Sequence, residues 1–151
     1  MKNNSLRRNL KQSSYLSARS FFKSLFSPVE EITFKVSPEK EPEKVFTVKG
    51  YEGDNLMDTL NESEIKGLNV FGICDKQLAC LSCRVNVEEG YNNLPKPTEE
   101  ETDILYDLGR HYKDNITRMS CQLKISKALE GAHIFVPRSA FAVFEILSDS
   151  D

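Results

Sequence analysis

No apolar run in this chain approaches the ~18 consecutive residues needed to span a bilayer, so nothing in it reads as a transmembrane segment. The N-terminus also lacks the continuous apolar stretch of a secretory signal. That removes the oxidising setting in which four cysteines would be read as two disulfides, and a metal or cluster site in a reducing compartment fits better. No internal repeat is visible. No acid-base pair marks a catalytic pocket. Residues 1–28 contain no Asp or Glu at all.

The acid-free segment carries Lys2, Arg7, Arg8, Lys11, Arg19 and Lys23. Subtracting these six from the chain's 20 basic residues leaves 14 against 23 acidic ones, a net of −9 for the remainder. A folded part this acidic argues against a nucleic-acid ligand and for a protein partner with a basic face. Residues 1–28 are rich in Arg, Ser and Asn and would set Tyr15, Ala18, Phe22 and Phe26 near one helical face. This is the composition of a mitochondrial transit peptide, or else of a basic flexible tail. With 151 residues and 39% hydrophobic content, the chain has room for one domain of ordinary size.

From Ile32 the apolar residues recur with period two at Ile32, Phe34 and Val36. A charged loop over 37–44 then leads to Val45, Phe46, Thr47 and Val48, which predicts a β-hairpin. Asp54 is placed to cap a short helix carrying Leu56, Met57 and Leu60 and ending before Gly67. Between Phe71 and Cys83 there is little regular periodicity, as in a loop that wraps something. Cys83, Val85 and Val87 alternate with Arg84 and Asn86 and predict a strand. Pro95 and Pro97 break the chain before Thr98, which with Glu101 makes a capping box. The helix it starts would bury Ile104, Leu105 and Leu108 and leave Glu99, Glu100, Asp103 and Asp107 in water. A last short strand is expected at Ile134–Val136, closed by Pro137, and a tail follows with Phe141, Val143, Phe144, Ile146 and Leu147.

The cysteines follow the pattern C-x5-C-x2-C-x37-C: Cys74, Cys80 and Cys83 from one loop and Cys121 from far along the chain. A 2Fe-2S cluster needs four thiolates, two on each iron, held by a loop that can fold around it. Three ligands within ten residues supply the loop, and the fourth closes the site only when the domain folds. Structural zinc or a single iron remains open, although zinc more commonly uses two close pairs and only Cys80 and Cys83 form one. A redox pair at Cys80 and Cys83 would leave the other two cysteines idle and lacks a βαβ setting. Rieske ligation would need two histidines near two cysteines, but His111 and His133 are each ten or more residues from any Cys.

On these residues the chain resembles the adrenodoxin branch of 2Fe-2S ferredoxins. Gly53-Asp54-Asn55-Leu56-Met57-Asp58 is similar to that family's first helix start. The runs Phe71-Gly72-Ile73-Cys74 and Leu78-Ala79-Cys80-Leu81-Ser82-Cys83 are similar to its cluster loop. Thr98-Glu99-Glu100-Glu101-Thr102-Asp103-Ile104-Leu105 resembles its partner-recognition helix, and Arg118-Met119-Ser120-Cys121-Gln122 its approach to the fourth ligand. Val136-Pro137 also fits. The likeness covers residues 30–138. It departs at Lys76, where the family usually has glycine, at Leu81 in place of a small hydroxyl residue, at Arg84 where many relatives have histidine, and at Tyr106 in place of an acid.

The resemblance implies an α+β, β-grasp ferredoxin-like domain over 29–138, between a transit segment (1–28) and a C-terminal tail (139–151), with a 2Fe-2S cluster near the surface. It implies an electron-transfer protein rather than an enzyme, in the mitochondrial matrix or peripheral on the inner membrane. Electrons would come from a flavoprotein ferredoxin reductase and go to a haem-thiolate monooxygenase or to iron-sulfur assembly proteins. Glu99, Glu100, Glu101, Asp103 and Asp107 would dock those partners. As the alternative, the resemblance also suggests a structural bridge subunit of respiratory complex I, a reading that the altered cluster loop, the basic N-terminus and the apolar tail favour.

Overall fold

The alternation at Ile32, Phe34 and Val36 becomes strand β1, Glu31–Pro38, in the computed structural model of the protein, which describes residues 28–70 and 72–137. Strand β2, Phe46–Tyr51, pairs with it antiparallel, Phe34 opposite Val48, so the expected hairpin is present. Its inward side chains are buried because one face of a two-stranded ribbon must be covered to be stable. The chain divides between Glu30 and Glu31 into two units, and the sheet belongs to the second. Residues up to Ser27, Phe71 and those from Arg138 onward lie outside the described residues, and with them most of the transit segment and the whole apolar tail. No helix among the described residues is long and apolar enough to cross a membrane.

Helix α1, Leu56–Glu62, follows the hairpin; strand β3 is Arg84–Glu89, helix α2 Glu99–Tyr106, strand β4 Thr117–Met119 and strand β5 His133–Val136. The sheet order is β2-β1-β5-β3-β4, with β5 parallel to β1 and antiparallel to β3. This mixed sheet with its helices is the α+β, β-grasp arrangement. The last strand inserts at the centre, so the sheet is complete only once the C-terminal part of the domain has been placed. Phe34, Leu60, Leu105, Ile125 and Ile134 lie in one shared core. Helix α1 packs on β2 and on the turn Ser120–Gln122, while α2 packs on β4.

Two expectations need correction. Helix α1 is capped by Asn55 rather than Asp54: the Asn55 side-chain oxygen accepts from the Met57 amide at 3.1 Å. Its amide nitrogen donates to the Cys121 carbonyl at 2.8 Å, which a carboxylate cannot do. Asn55→Asp should therefore destabilise the chain by about 1–2 kcal/mol although aspartate caps helices as well as asparagine, because a carboxylate would face a carbonyl. Urea unfolding of the two proteins measures the difference. Strand β3 does not alternate between buried and wet faces either. It lies between β5 and β4, and Arg84 and Asn86 are buried along with Val85 and Val87. Asn86 is satisfied there by Thr117 Oγ1, which donates at 2.9 Å, and by its own donation to Glu39 at 3.3 Å.

Candidate metal centre

The loop 72–83 runs from α1 to β3 with almost no regular structure, held by single turns such as Gln77 N to Cys74 O at 3.3 Å. Asp75, Lys76 and Leu78 all have positive φ, at 52°, 64° and 54°. Left-handed backbone costs a non-glycine residue about 1 kcal/mol, so three such residues in one short loop persist only where the surroundings fix them. The loop's curvature turns Cys74 and Cys80 toward one another, their sulfurs 3.3 Å apart and half-buried.

The other two thiols come from opposite ends of an antiparallel strand pair. Cys83 precedes β3, Cys121 follows β4, and Arg84 is in register with Met119. Ser120 ties the two ends together: both its amide, at 2.9 Å, and its hydroxyl, at 2.7 Å, donate to the Cys83 carbonyl. Cys83 and Cys121 are thereby brought together in the buried floor of the site. All four cysteines are free thiols.

The two pairs differ in electrostatics. The hydrogen bond to Cys121 holds the proton on Cys83 and, with burial, pushes its thiol well above the ordinary range. The same bond stabilises Cys121 as the thiolate against burial, with help from Gln122, and lowers it to about 7. Burial acts to raise Cys80, but hydrogen bonds with Ser82 and Cys74 outweigh it and hold that thiol below its usual value. The Ile73 amide donates to Ser82 Oγ at 3.2 Å, leaving the hydroxyl proton free for the Cys80 sulfur at 2.9 Å. Gln122 Nε2 lies 3.4 Å from Cys121 Sγ. Thiolate is the form that binds metal, so each pair has one sulfur already favoured as a ligand.

Four soft sulfur donors suit iron-sulfur chemistry or zinc. Their arrangement as an inner and an outer pair matches two metal ions with two thiolates each. The residues present therefore fit a binuclear cluster.

The acidic helix lies beside this site and divides the expected docking residues. Glu99, Glu100, Asp103 and Asp107 are exposed. Glu101 is not: it is 1% exposed, and its carboxylate takes Arg118 Nε and Nη2 at 2.9 and 3.1 Å and the Met119 amide at 2.9 Å. Thr98 does cap the helix, accepting from the Glu101 amide at 3.1 Å. The Glu101 side chain, however, turns inward to the strand that carries Cys121 instead of back to its cap. It leaves the docking set. Tyr106 is exposed, its ring edge-on to Tyr112 at 5.3 Å. Ser82, Ser120, Gln122 and Asn55, which hold the sulfurs or their backbone, fall within the runs that resemble the family, but the sequence assigns them no individual role: three adjoin a cysteine, and Asn55 adjoins the expected cap Asp54.

The chain is 33% identical to a 2Fe-2S ferredoxin of Rickettsia prowazekii over 108 residues, 71% of this chain and 88% of that protein. It is 35% identical to sheep adrenodoxin over 95 residues, 62% of this chain and 72% of that protein. With the mitochondrial adrenodoxin-like protein 1 of Drosophila melanogaster it shares 32% over 92 residues, and the match spans about half, 51%, of the fly protein. No family model matches. Among solved structures, a ferredoxin from Rhodopseudomonas palustris superimposes with a TM-score of 0.58 at 26% identity, covering 74% of this chain and all of that one. Putidaredoxin, crystallised in covalent complex with putidaredoxin reductase, does so with a TM-score of 0.59 at 23% identity, over 70% of this chain and 98% of that one.

Proposed function

The chain belongs to the adrenodoxin-type 2Fe-2S ferredoxins, electron carriers rather than enzymes, and from that premise we propose that Cys74, Cys80, Cys83 and Cys121 ligate its cluster. The observation that carries the assignment is that the β3–β4 pair and Ser120 bring Cys83 and Cys121 together, both buried, beside the Cys74–Cys80 pair. When bound, the cluster supplies a one-electron couple. The chain's own residues do the rest. Four thiolates hold the metals in two pairs. Ser82 and Gln122 donate to the Cys80 and Cys121 sulfurs, drawing off negative charge and so favouring the reduced state. The buried inner pair excludes water, and the half-buried outer pair faces the side from which a partner's redox centre can approach.

The partner in this reading is a flavoprotein reductase, with a haem-thiolate monooxygenase or iron-sulfur assembly proteins as acceptors. Support comes from the acidic exposed face of α2 and from the reductase complex formed by putidaredoxin. Glu99, Glu100, Asp103 and Asp107 would meet a basic surface and speed encounter more than they tighten the complex. Glu100→Gln with Asp103→Asn should lower the second-order rate of reduction by a ferredoxin reductase about three- to tenfold at low ionic strength, the difference fading as salt screens the charges. Stopped-flow reduction at several salt concentrations reads this out, and a rate unchanged at low salt would remove α2 from the docking surface.

A mitochondrial location is supported by the mitochondrial adrenodoxin relatives and by the basic, acid-free residues 1–28, which would be the transit segment ahead of a ferredoxin domain at 29–138 and a tail at 139–151. The bridge-subunit alternative draws on the altered cluster loop, the basic N-terminus and the apolar tail; most of that N-terminus and the whole tail lie outside the described residues, and none of the relatives named above is a subunit of that kind.

A further inference from the structure

Lys76 occupies a left-handed backbone position, φ 64°, inside the loop between the first two cysteines. A lysine is a poor choice for such backbone on conformational grounds, and the loop offers it no buried site. Its side chain instead leaves the loop and reaches helix α1, where the ammonium meets Asp58 Oδ2 at 2.5 Å. Its carbonyl accepts from Gln122 Nε2 at 3.2 Å, and the same amide is 3.4 Å from Cys121 Sγ. Asn55, at the start of α1, donates to the Cys121 carbonyl. These links close a ring: Asp58 to Lys76, Lys76 to Gln122, Gln122 and Cys121 to Asn55, and through one turn of α1 back to Asp58. The ring joins the helix, the cysteine loop and the turn of the fourth cysteine along one rim of the site.

Lys76 bridges to both other segments from within the loop, two residues after Cys74 and with its carbonyl on the Gln122 amide that faces Cys121 Sγ. The pair it forms with Asp58 is part-exposed, with 37% and 44% of the two side chains accessible, so it is open to screening by salt.

We propose that Lys76 is a positioning residue, its ion pair with Asp58 acting as a latch that holds the cysteine loop closed over the cluster while balancing the lysine charge beside it; this rests on the ligand assignment above. The latch has two separable consequences. Opening it loosens the loop and speeds cluster loss. Unbalancing it changes the charge near the cluster, and reduction adds one negative charge there. An unpaired lysine therefore favours the reduced state and an unpaired aspartate disfavours it.

The test uses the full chain with its cluster, as parent, Asp58→Asn, Lys76→Met, Lys76→Arg, and the charge-reversed double variant Lys76→Asp with Asp58→Lys. Aspartate is among the residues that tolerate left-handed backbone, so the reversed pair can occupy the same positions. Cluster absorbance is followed in the presence of chelator, and midpoint potential by redox titration. Asp58→Asn and Lys76→Met should each shorten cluster half-life about two- to fivefold at low ionic strength, the gap closing at high salt, while Lys76→Arg and the reversed pair keep the parent value. The potential should rise in Asp58→Asn and fall in Lys76→Met. A purely structural role would move both potentials the same way or neither, and that result overturns the proposal. So do half-lives equal to the parent at low salt. If Lys76→Met fails to load, Asp58→Asn and the reversed pair decide by the same criteria. A parent chain that binds no iron and sulfide would instead overturn the ligand assignment itself.

Discussion

Replacing Cys121 by alanine is expected to abolish the cluster, taking iron and sulfide from two each per chain to near zero, although 37 residues separate it from Cys83, the nearest of the other three proposed ligands. The inner pair explains the size of the effect. Hydrogen bonds with Cys83 and Gln122 lower the Cys121 thiol to about 7, toward the thiolate that binds metal, and it is buried with Cys83 in the floor of the site. Its loss leaves one metal position with Cys83 as its single thiolate where two are needed. Because a metal site formed by folding returns its binding free energy to stability, the variant should also unfold at lower denaturant than the loaded parent. Cluster-free forms of the two proteins should differ far less. Metal analysis and paired unfolding curves check both statements, and retention of half or more of the iron by Cys121→Ala would exclude it as a ligand.

Glu101→Leu is the second large effect. The carboxylate and Arg118 are both almost wholly buried, with side-chain exposures of 2% and 3%, and are joined by two hydrogen bonds. Arg118 also donates to the Pro95 carbonyl at 2.7 Å and lies over the Tyr91 ring at 5.9 Å. Removing one partner of a buried pair strands the other charge in a medium that solvates it poorly, at a cost of about 3–5 kcal/mol. That is a large part of the roughly 5–15 kcal/mol that a domain has in total. The Met119 amide loses its acceptor as well, two residues before Cys121, so cluster retention should fall with stability. Adding Arg118→Met should recover most of the loss, since apolar pairs often replace buried ion pairs with little penalty. Urea unfolding of the two single variants and the double closes the cycle. Unaltered stability in Glu101→Leu, with slower reductase kinetics, would return Glu101 to the docking face.

Glu101 also marks where the sequence stopped being informative. Thr98 and Glu101 satisfy a capping box by local spacing, and a local rule cannot see that the carboxylate has a stronger partner on a three-residue strand 17 positions away. The neighbouring acids at 99, 100, 103 and 107 were readable because helical periodicity alone puts them outside. The hairpin and α1 were readable for the same reason: their apolar periods are clean. Arg84 and Asn86 looked like the wet half of an alternating strand, and only the insertion of β5 beside β3 buries them. The spacing of the cysteines marks them as a candidate set, but their division into an inner and an outer pair depends on the β3–β4 register. Lys76 was visible as an oddity at a glycine-like position. Its answer, Asp58, lies 18 residues earlier on a different element and could not be read from the loop.

Metal and acid-labile sulfide analysis of the anaerobically purified full chain, with electron paramagnetic resonance after reduction, tests the central claim most directly. Two irons and two sulfides per chain with a one-electron signal are the predicted result; zinc, or a single iron without sulfide, would contradict it.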